Sequence, residues 1–129
     1  MYCIVHKNRL PLQRNYKTEA MVDNIKTQMR KGILEYCILG VIFKSDEAYV
    51  SDILKVLKDA NLFVVEGTVY PLLTRMKNAG LLTYRWQESQ GGPPRKYYKL
   101  TEEGHQLYES LEQEWAAISG SVEKVTSNK

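Results

Sequence analysis

Basic and hydroxyl-bearing side chains are concentrated between residues 67 and 100, where six Lys or Arg residues accompany a single acidic residue. Guanidinium and ammonium groups bind phosphates, whereas hydroxyls bind both phosphates and the edges of bases. The candidate contacts in this stretch are Thr68, Tyr70, Pro71, Arg75, Lys77, Gly92, Arg95 and Lys96. These residue types predict a surface for a polyanion, and nucleic acid is the polyanion that they favour.

Two groups of candidates have distinct expected roles. Thr68 and Tyr70 would offer hydroxyls to base edges in a major groove, where Pro71 would contact thymine methyl groups. Arg95 and Lys96 would lie along phosphates or in a minor groove. Together they predict contacts to both grooves of a duplex.

Further contacts are expected at helix and turn positions. Tyr49 and Ser51 open a predicted helix, whose N-terminal amide groups suit a phosphate. Gly92 lies in a Gly-Gly-Pro-Pro turn that would allow close approach to a nucleic-acid backbone. Arg75 would reach a phosphate or a guanine edge, and Lys77 would bind a phosphate.

The sequence offers no comparable support for catalysis. Gly91 and Gly92 are followed by prolines rather than by the Lys-Ser/Thr pair of a phosphate-binding loop. His105 stands three residues after Glu102, as in half of a carboxylate-bridged metal site, but no second such pair occurs. We therefore expect no enzyme activity, no metal site and no cofactor.

Charge alternates in four blocks along the chain. The net charge is +5 over residues 1–31, −3 over 32–66, +5 over 67–100 and −4 over 101–129, which gives the total of +3. A basic block between acidic ones suits a polyanion that touches one face of the protein. An acidic protein partner is the alternative ligand for the same basic surface.

Local signals place the candidates on a helix followed by a β-hairpin. Apolar residues recur at helical spacing up to Gly80, which is a typical helix stop, and an apolar–polar alternation follows. Thr101 and two glutamates then mark a new helix start. The predicted segments are a helix over 66–79, strands over 81–86 and 95–100, and a turn over 88–94 between the strands.

Two further helices are predicted before this segment. The first begins at about Asp23, ends at Phe43 and is apolar on nearly every side in its second half. The second covers residues 49–60. Residues 1–22 are interpreted as a disordered basic arm, which leaves residues 23–100 as one winged helix-turn-helix domain.

The last segment, residues 101–129, is predicted to be a helix with a short tail. One face carries an apolar stripe that has little of its own domain left to contact, so it predicts a homodimer, with packing inside the chain as the alternative. The predicted interface residues are Leu107, Leu111, Trp115, Ile118 and Val122. The fold class is therefore mainly α (α+β), a winged helix-turn-helix with a C-terminal dimerisation helix.

Several residues have a structural interpretation. Cys37 lies in an apolar helix and is expected to be buried. Trp86 ends a strand that packs on helices, so it is expected to anchor the core or the wing rather than to stack on a base. Tyr97 and Tyr98 are adjacent in a strand, so one faces the core, and Tyr98 is favoured. The longest apolar run, within residues 33–43, is too short to cross a bilayer, which predicts a cytoplasmic protein.

Four motifs make the chain similar to the PadR family of bacterial transcriptional regulators. They are MRKGILEYCILGVI (29–42), AYVSDI (48–53), EGTVYPLLTRMKNAGLL (66–82) and GPPRKYYKLTEEG (92–104). The single C-terminal helix resembles that of the family's small subgroup, in which this helix carries most of the dimer interface.

The resemblance has functional implications. It implies a homodimeric repressor that binds an inverted repeat of double-stranded DNA. It also implies a small aromatic effector at Trp115, although Ser119 stands where the drug-binding members place an acidic residue. A winged helix that binds only a protein partner, with no DNA operator, is the alternative function.

Overall fold

The computed structural model describes residues 16–128, which form four helices and one two-stranded antiparallel sheet. This arrangement is the predicted winged helix-turn-helix followed by a C-terminal helix, and the fold class is confirmed. The elements are α1 (Tyr16–Ser45), α2 (Val50–Asp59), α3 (Glu66–Asn78), β1 (Leu82–Ser89), β2 (Gly92–Leu100) and α4 (Glu102–Thr126).

Helix α1 begins earlier than its apolar pattern indicated. It starts at Tyr16 rather than near Asp23, so residues 16–22, which were assigned to a disordered arm, are helical, and the prediction was wrong for them. Adding a residue to an existing helix costs far less than starting one, so the helix extends through polar residues beyond its packed half. Residues 1–15, the rest of the predicted arm, lie outside the described residues.

The second half of α1 forms the centre of the core, as its apolar pattern predicted. Ile38 and Ile42 are completely buried, and each of the other elements contributes to the same cluster. Burying such aliphatic side chains stabilises a fold by about 2 kcal/mol each. Representative partners are Ile53 of α2, Leu73 and Met76 of α3, Leu82 of β1, Tyr98 of β2 and Tyr108 of α4.

The wing, which consists of β1, β2 and their turn, is longer than predicted. Its strands reach Ser89 and start again at Gly92, so Pro93 and Pro94, which were assigned to a loop, belong to β2. The register shifts between Gln87 and Ser89. Because residues at such an irregularity need not donate to the ladder, β2 accommodates two prolines.

A backbone bridge fastens the wing to the residue that precedes α2. Ala48 pairs with Tyr98 through two hydrogen bonds of 3.0 and 2.9 Å, so β2 lies between β1 and the residue that leads into α2. This bridge sets the side chains after Ala48 beside those of β2.

The joint between α3 and α4 is built from one threonine and two glycines. Gly80 ends α3 with a φ of 82°, a conformation that glycine adopts without strain. Thr101 caps α4 as predicted, because its Oγ1 accepts a hydrogen bond from the Gly104 amide at 3.1 Å and donates one to the Gly80 carbonyl at 2.6 Å. The base of the wing is therefore held between the end of α3 and the start of α4.

Helix α4 packs most closely on the described part of its own chain along its first turns. Tyr108 is buried against the stacked rings of Tyr36 and Phe43, with centroids 5.6 and 4.7 Å away, and Leu107 and Leu111 pack at the edge of the same core. The interpretation as packing inside the chain therefore applies to the beginning of the stripe. Beyond it, the large apolar residues are exposed, namely Trp115, Ile118, Val122 and Val125.

None of the helices formed by residues 16–128 combines the length and the apolar character that crossing a membrane requires.

Candidate nucleic-acid interface

Three elements surround a cleft of about 370 Å³ on one side of the molecule. The start of α2, the start of α3 and the tip of the wing form its walls. Five of the predicted contacts line it, namely Tyr49, Ser51, Tyr70, Arg95 and Lys96. Residues that are up to 47 positions apart in sequence therefore share one surface.

The exposed start of α3 forms one side of this surface. Its cap residue, Val65, forms no side-chain hydrogen bond with the helix, and Glu66 is the acidic residue of the first turn. Tyr70 is 45% exposed at the cleft, whereas Thr68 and Pro71 are exposed outside the cleft lining. Helix α3 continues past Pro71 to Asn78, so all three side chains stand on one continuous helix.

Arg75 and Lys77 do not join the cleft. Nη2 of Arg75 forms an ion pair with Oε1 of Glu35 on α1 at 2.5 Å, although both side chains are partly exposed. Nζ of Lys77 lies 5.8 Å from the centre of the Tyr84 ring. Both positive groups are therefore directed toward other parts of the chain, a placement that the helical pattern alone did not indicate.

A row of stacked side chains crosses the wing to the start of α2. The rings of Tyr49 and Tyr97 stack with centroids 3.8 Å apart. The guanidinium of Arg95 lies 5.3 Å from the Tyr49 ring, and that of Arg85 lies 4.5 Å from the Tyr97 ring. We refer to Arg85, Tyr97, Tyr49 and Arg95 as the wing stack.

An ion pair closes one end of the wing stack. Nε and Nη2 of Arg85 donate to the two carboxylate oxygens of Glu47 at 2.7 and 3.2 Å. The hydrogen bond from Arg85 lowers the pKa of the Glu47 carboxyl below its ordinary value. Sequence reasoning missed both residues, and the only signal that it had was the alternation of Arg85 with the inward-facing residues of β1.

Of the two expected places for Trp86, the core and the wing, the core is wrong. Its side chain is 60% exposed and lines the cleft. Trp86 pairs with Lys96 across the hairpin, two positions beyond the pair Tyr84 and Tyr98 where the wing meets the core. Trp86 therefore lies on the same face of β1 as Tyr84, as the alternation predicted. The core, however, does not extend along this face as far as Trp86.

The tyrosine pair follows the favoured assignment. Tyr98 is 3% exposed, and burial raises the pKa of its phenol. Tyr97 is half-buried and belongs to the wing stack.

Gly92 pairs with Ser89 at the wing tip, where a Cβ would come within 3.2 Å of the Ser89 hydroxyl. Gly92 is therefore the first residue of β2 rather than part of the predicted turn, and a larger residue there would require the Ser89 side chain to shift.

A second cavity, of about 210 Å³, lies beside Trp115 between α1 and α4. Trp115 is 44% exposed, and Glu114 lines the same cavity. This carboxylate provides a negative charge beside the indole, although Ser119 occupies the position that the resemblance associates with an acid. The remaining lining residues are Gly32, Ile33, Tyr36, Leu111 and Ile118.

The residues considered for metal or redox chemistry have other environments. His105 packs against the Phe43 ring, edge to face, with centroids 5.5 Å apart. Residues 16–128 contain no cluster of three His, Cys, Asp or Glu side chains placed to hold a metal ion. Cys37 is half-buried rather than fully buried, and its burial raises the pKa of the thiol.

Comparison with known proteins assigns this architecture to a family. The model of the PadR-like family of transcriptional regulators matches residues 38–110, more than half of the chain. The structure is similar to a PadR-like transcription factor from Bacteroides fragilis, with a TM-score of 0.67, 54% identity and coverage of 80% of this chain and 99% of that chain. A search of curated proteins gives no match.

Two further solved structures extend the comparison. A PadR-like transcriptional regulator from Bacillus cereus is 38% identical, with a TM-score of 0.68 and coverage of 79% of this chain and 99% of that chain. Bacillus subtilis PadR in complex with operator DNA is 26% identical, with a TM-score of 0.56 and coverage of 61% and 46% of the two chains. The chain therefore belongs to the PadR-like family of transcriptional regulators, as the sequence motifs predicted.

Proposed function

We propose that this protein is a sequence-specific, homodimeric transcriptional repressor that binds double-stranded DNA through the cleft face. The observation that carries the proposal is the meeting of the starts of α2 and α3 with the basic tip of the wing. Hydroxyls, helix-terminal amides and cationic side chains are the groups that position a protein on a duplex. The operator complex of Bacillus subtilis PadR supports this ligand for a protein of the same family.

The expected contacts are made by side chains that are exposed at the cleft face. The start of α3 would enter a major groove with Thr68, Tyr70 and Pro71, which are all exposed. Arg95 and Lys96 would bind phosphates beside a minor groove. Arg75 and Lys77 would act as secondary phosphate contacts after turning away from their present partners.

The exposed part of the α4 stripe would hold two copies together. Trp115, Ile118 and Val122 are 44 to 54% exposed in the single chain, and apolar side chains repeated along one helix face are typical of a helix–helix interface. A two-fold dimer would present two cleft faces to an inverted repeat, with half-sites about 34 Å apart.

The cavity beside Trp115 is the proposed site of a small aromatic effector. An indole face takes a flat ring, and Glu114 would pair with a positive group on it. Binding there would release DNA if it changed the distance between the two cleft faces.

Because the operator of the proposed repressor would be chromosomal, we place the protein in the cytoplasm.

The test is the affinity for a mixed-sequence duplex of about 30 base pairs, close to three helical turns, measured by fluorescence anisotropy over a series of salt concentrations. We expect affinity to fall linearly on a log–log plot, because binding releases counterions from phosphates. Sequencing DNA that co-purifies with the protein then supplies the operator. Absence of binding at low salt would contradict the proposal.

A matched pair of variants locates the binding face. Arg95→Ala removes a positive charge from the cleft, whereas Lys55→Ala removes one from an exposed ion pair with Asp59 on α2. We expect Arg95→Ala to weaken binding on the order of tenfold and to reduce the salt slope by about one, with little change for Lys55→Ala. Equal effects would show that attraction depends on net charge alone.

A further inference from the structure

Trp86 is exposed in a part of the molecule where a large apolar side chain adds little to folding. It lies on β1 beyond the core, with 60% of its surface accessible. Its ring is perpendicular to that of Tyr84, with centroids 6.0 Å apart, and Nζ of Lys96 lies 5.3 Å from its centre. Large apolar surfaces that stay exposed in a folded chain are typical of binding sites.

The surroundings of Trp86 define what this ring would contact. The cleft that it lines also contains apolar Pro93 and Pro94 and cationic Arg95 and Lys96, with one carboxylate, Glu66, at the start of α3. A ligand that matches this combination carries negative charges next to uncharged, weakly polar faces. A sugar–phosphate strand has this chemistry, because anionic phosphates alternate with deoxyribose rings whose C–H groups form a nonpolar face.

We propose that Trp86 is a DNA-contacting residue, whose indole packs on the deoxyribose of the strand that Arg95 and Lys96 hold by its phosphates. This inference rests on the proposed function and assigns the wing an apolar contact in addition to its charges. A contact to deoxyribose does not depend on the base sequence, because every nucleotide of the duplex carries the same sugar. Trp86 would therefore increase affinity for any duplex and would not select the operator.

The ring also contacts Lys96, so a purely supporting role has to be distinguished. Nζ of Lys96 lies between two rings, 4.4 Å from the centre of Tyr84 and 5.3 Å from that of Trp86. If Trp86 served only to hold this ammonium group, its loss would weaken the contact of Lys96 with a phosphate and so reduce the salt slope of DNA binding. A direct contact through the indole is uncharged, and its loss leaves the salt slope unchanged.

The first experiment measures whether DNA covers the ring. The Trp115→Phe protein retains Trp86 as its single tryptophan, and the Trp86→Phe protein retains Trp115. Acrylamide quenching of tryptophan emission is measured for both proteins with and without the mixed-sequence duplex, while anisotropy of labelled duplex confirms binding. We expect the duplex to protect Trp86 at least twofold and to leave quenching of Trp115 unchanged.

The outcomes separate this inference from the proposed function. If the duplex binds and Trp86 remains as accessible as before, the inference fails and the proposed function stands. If the wild-type protein does not bind the duplex at all, both fail. Protection of Trp115 alone would place DNA on α4 and would also overturn the inference.

The second experiment compares Trp86→Ala with Lys96→Ala. We expect Trp86→Ala to weaken duplex binding on the order of tenfold at every salt concentration, with the wild-type salt slope. Lys96→Ala should reduce the slope by about one. Trp86→Phe, which keeps an aromatic face, should recover part of the affinity. Wild-type affinity of Trp86→Ala, or a reduced slope, would overturn the inference.

Because Trp86 is mostly exposed, its replacement should leave the fold intact. Thermal melting by circular dichroism checks this point for each variant. A variant that melted well below the wild-type protein would show that the ring supports the wing, and this outcome would also count against a direct contact.

Discussion

Tyr49 and Tyr97 stack face to face, with ring centroids 3.8 Å apart, and this contact joins the start of α2 to the second strand of the wing. Tyr49 and Tyr97 are the chain neighbours of Ala48 and Tyr98, and the backbone bridge between these two residues brings the rings together. Arg95 and Arg85 cover the outer faces of the pair. The wing stack thus fixes the position of a cleft arginine relative to the helical part of the interface.

Replacing Tyr97 with leucine should loosen the wing without unfolding the core. We expect backbone amides of β1 and β2 to exchange hydrogen about five- to tenfold faster, the factor that corresponds to the loss of a typical aromatic pair. Native-state hydrogen exchange followed by mass spectrometry measures this rate. Tyr97→Phe keeps the ring and serves as the control, so similar exchange in both variants would contradict a role for stacking.

The pair of Glu47 and Arg85 should make stability depend on pH in the acidic range. Because the folded-state pKa of Glu47 is lowered, its contribution to stability is present above the ordinary carboxyl pKa of about 4.3 and is lost as the pH falls through the lower, folded-state value. Glu47→Gln should therefore be slightly less stable than the wild-type protein at neutral pH and equally stable in acid.

Urea denaturation across this pH range measures the difference between the two proteins. The effect at neutral pH should be small, since Arg85 is half exposed and solvent screens the pair. A stability difference that stays constant from neutral to acidic pH would show that the carboxylate charge is not its source.

Two glycines of α4 should respond oppositely to alanine. A Cβ on Gly104 would lie 2.1 Å from the carbonyl oxygen of Leu81, which is backbone and has little room to move, whereas none of the described atoms outside the local helix lies within 4 Å of a Cβ on Gly120. We expect Gly104→Ala to lower the free energy of unfolding by about 3 kcal/mol or more. Gly120→Ala should raise it by about 1 kcal/mol, because alanine favours helix interiors.

Thermal or chemical denaturation of the two variants distinguishes close packing from helix propensity. If both substitutions were stabilising, the approach of α4 to the base of the wing would be looser than the structure shows.

A charge placed on the exposed stripe of α4 should separate the copies of the proposed dimer. Ile118→Asp puts a carboxylate on the stripe, whereas Gln113→Asp adds the same charge at an exposed position off the stripe. Burying an unpaired carboxylate costs several kcal/mol, so Ile118→Asp should sediment as a monomer at concentrations where the Gln113 variant remains dimeric. Sedimentation velocity makes the comparison, and a dimeric Ile118→Asp protein would move the interface elsewhere.

Signals within a few residues of each other determined most of the architecture. Apolar spacing defined the buried half of α1, Gly80 defined the end of α3, and Thr101 defined the start of α4, because helix faces, stops and caps depend on neighbours along the chain. The family motifs likewise lie in continuous segments, so the sequence alone led to the PadR-like family.

Only the tertiary structure decided which side chains of the candidate interface are paired within the chain and which are exposed. Glu47 meets Arg85 across 38 positions, and Arg75 turns to Glu35 on α1, because the fold brings these charges together. Trp86 is exposed for a related reason, since alternation along a strand defines its face but not where the core ends. Local sequence patterns thus specified the elements, whereas contacts between distant elements specified which groups remain free to bind.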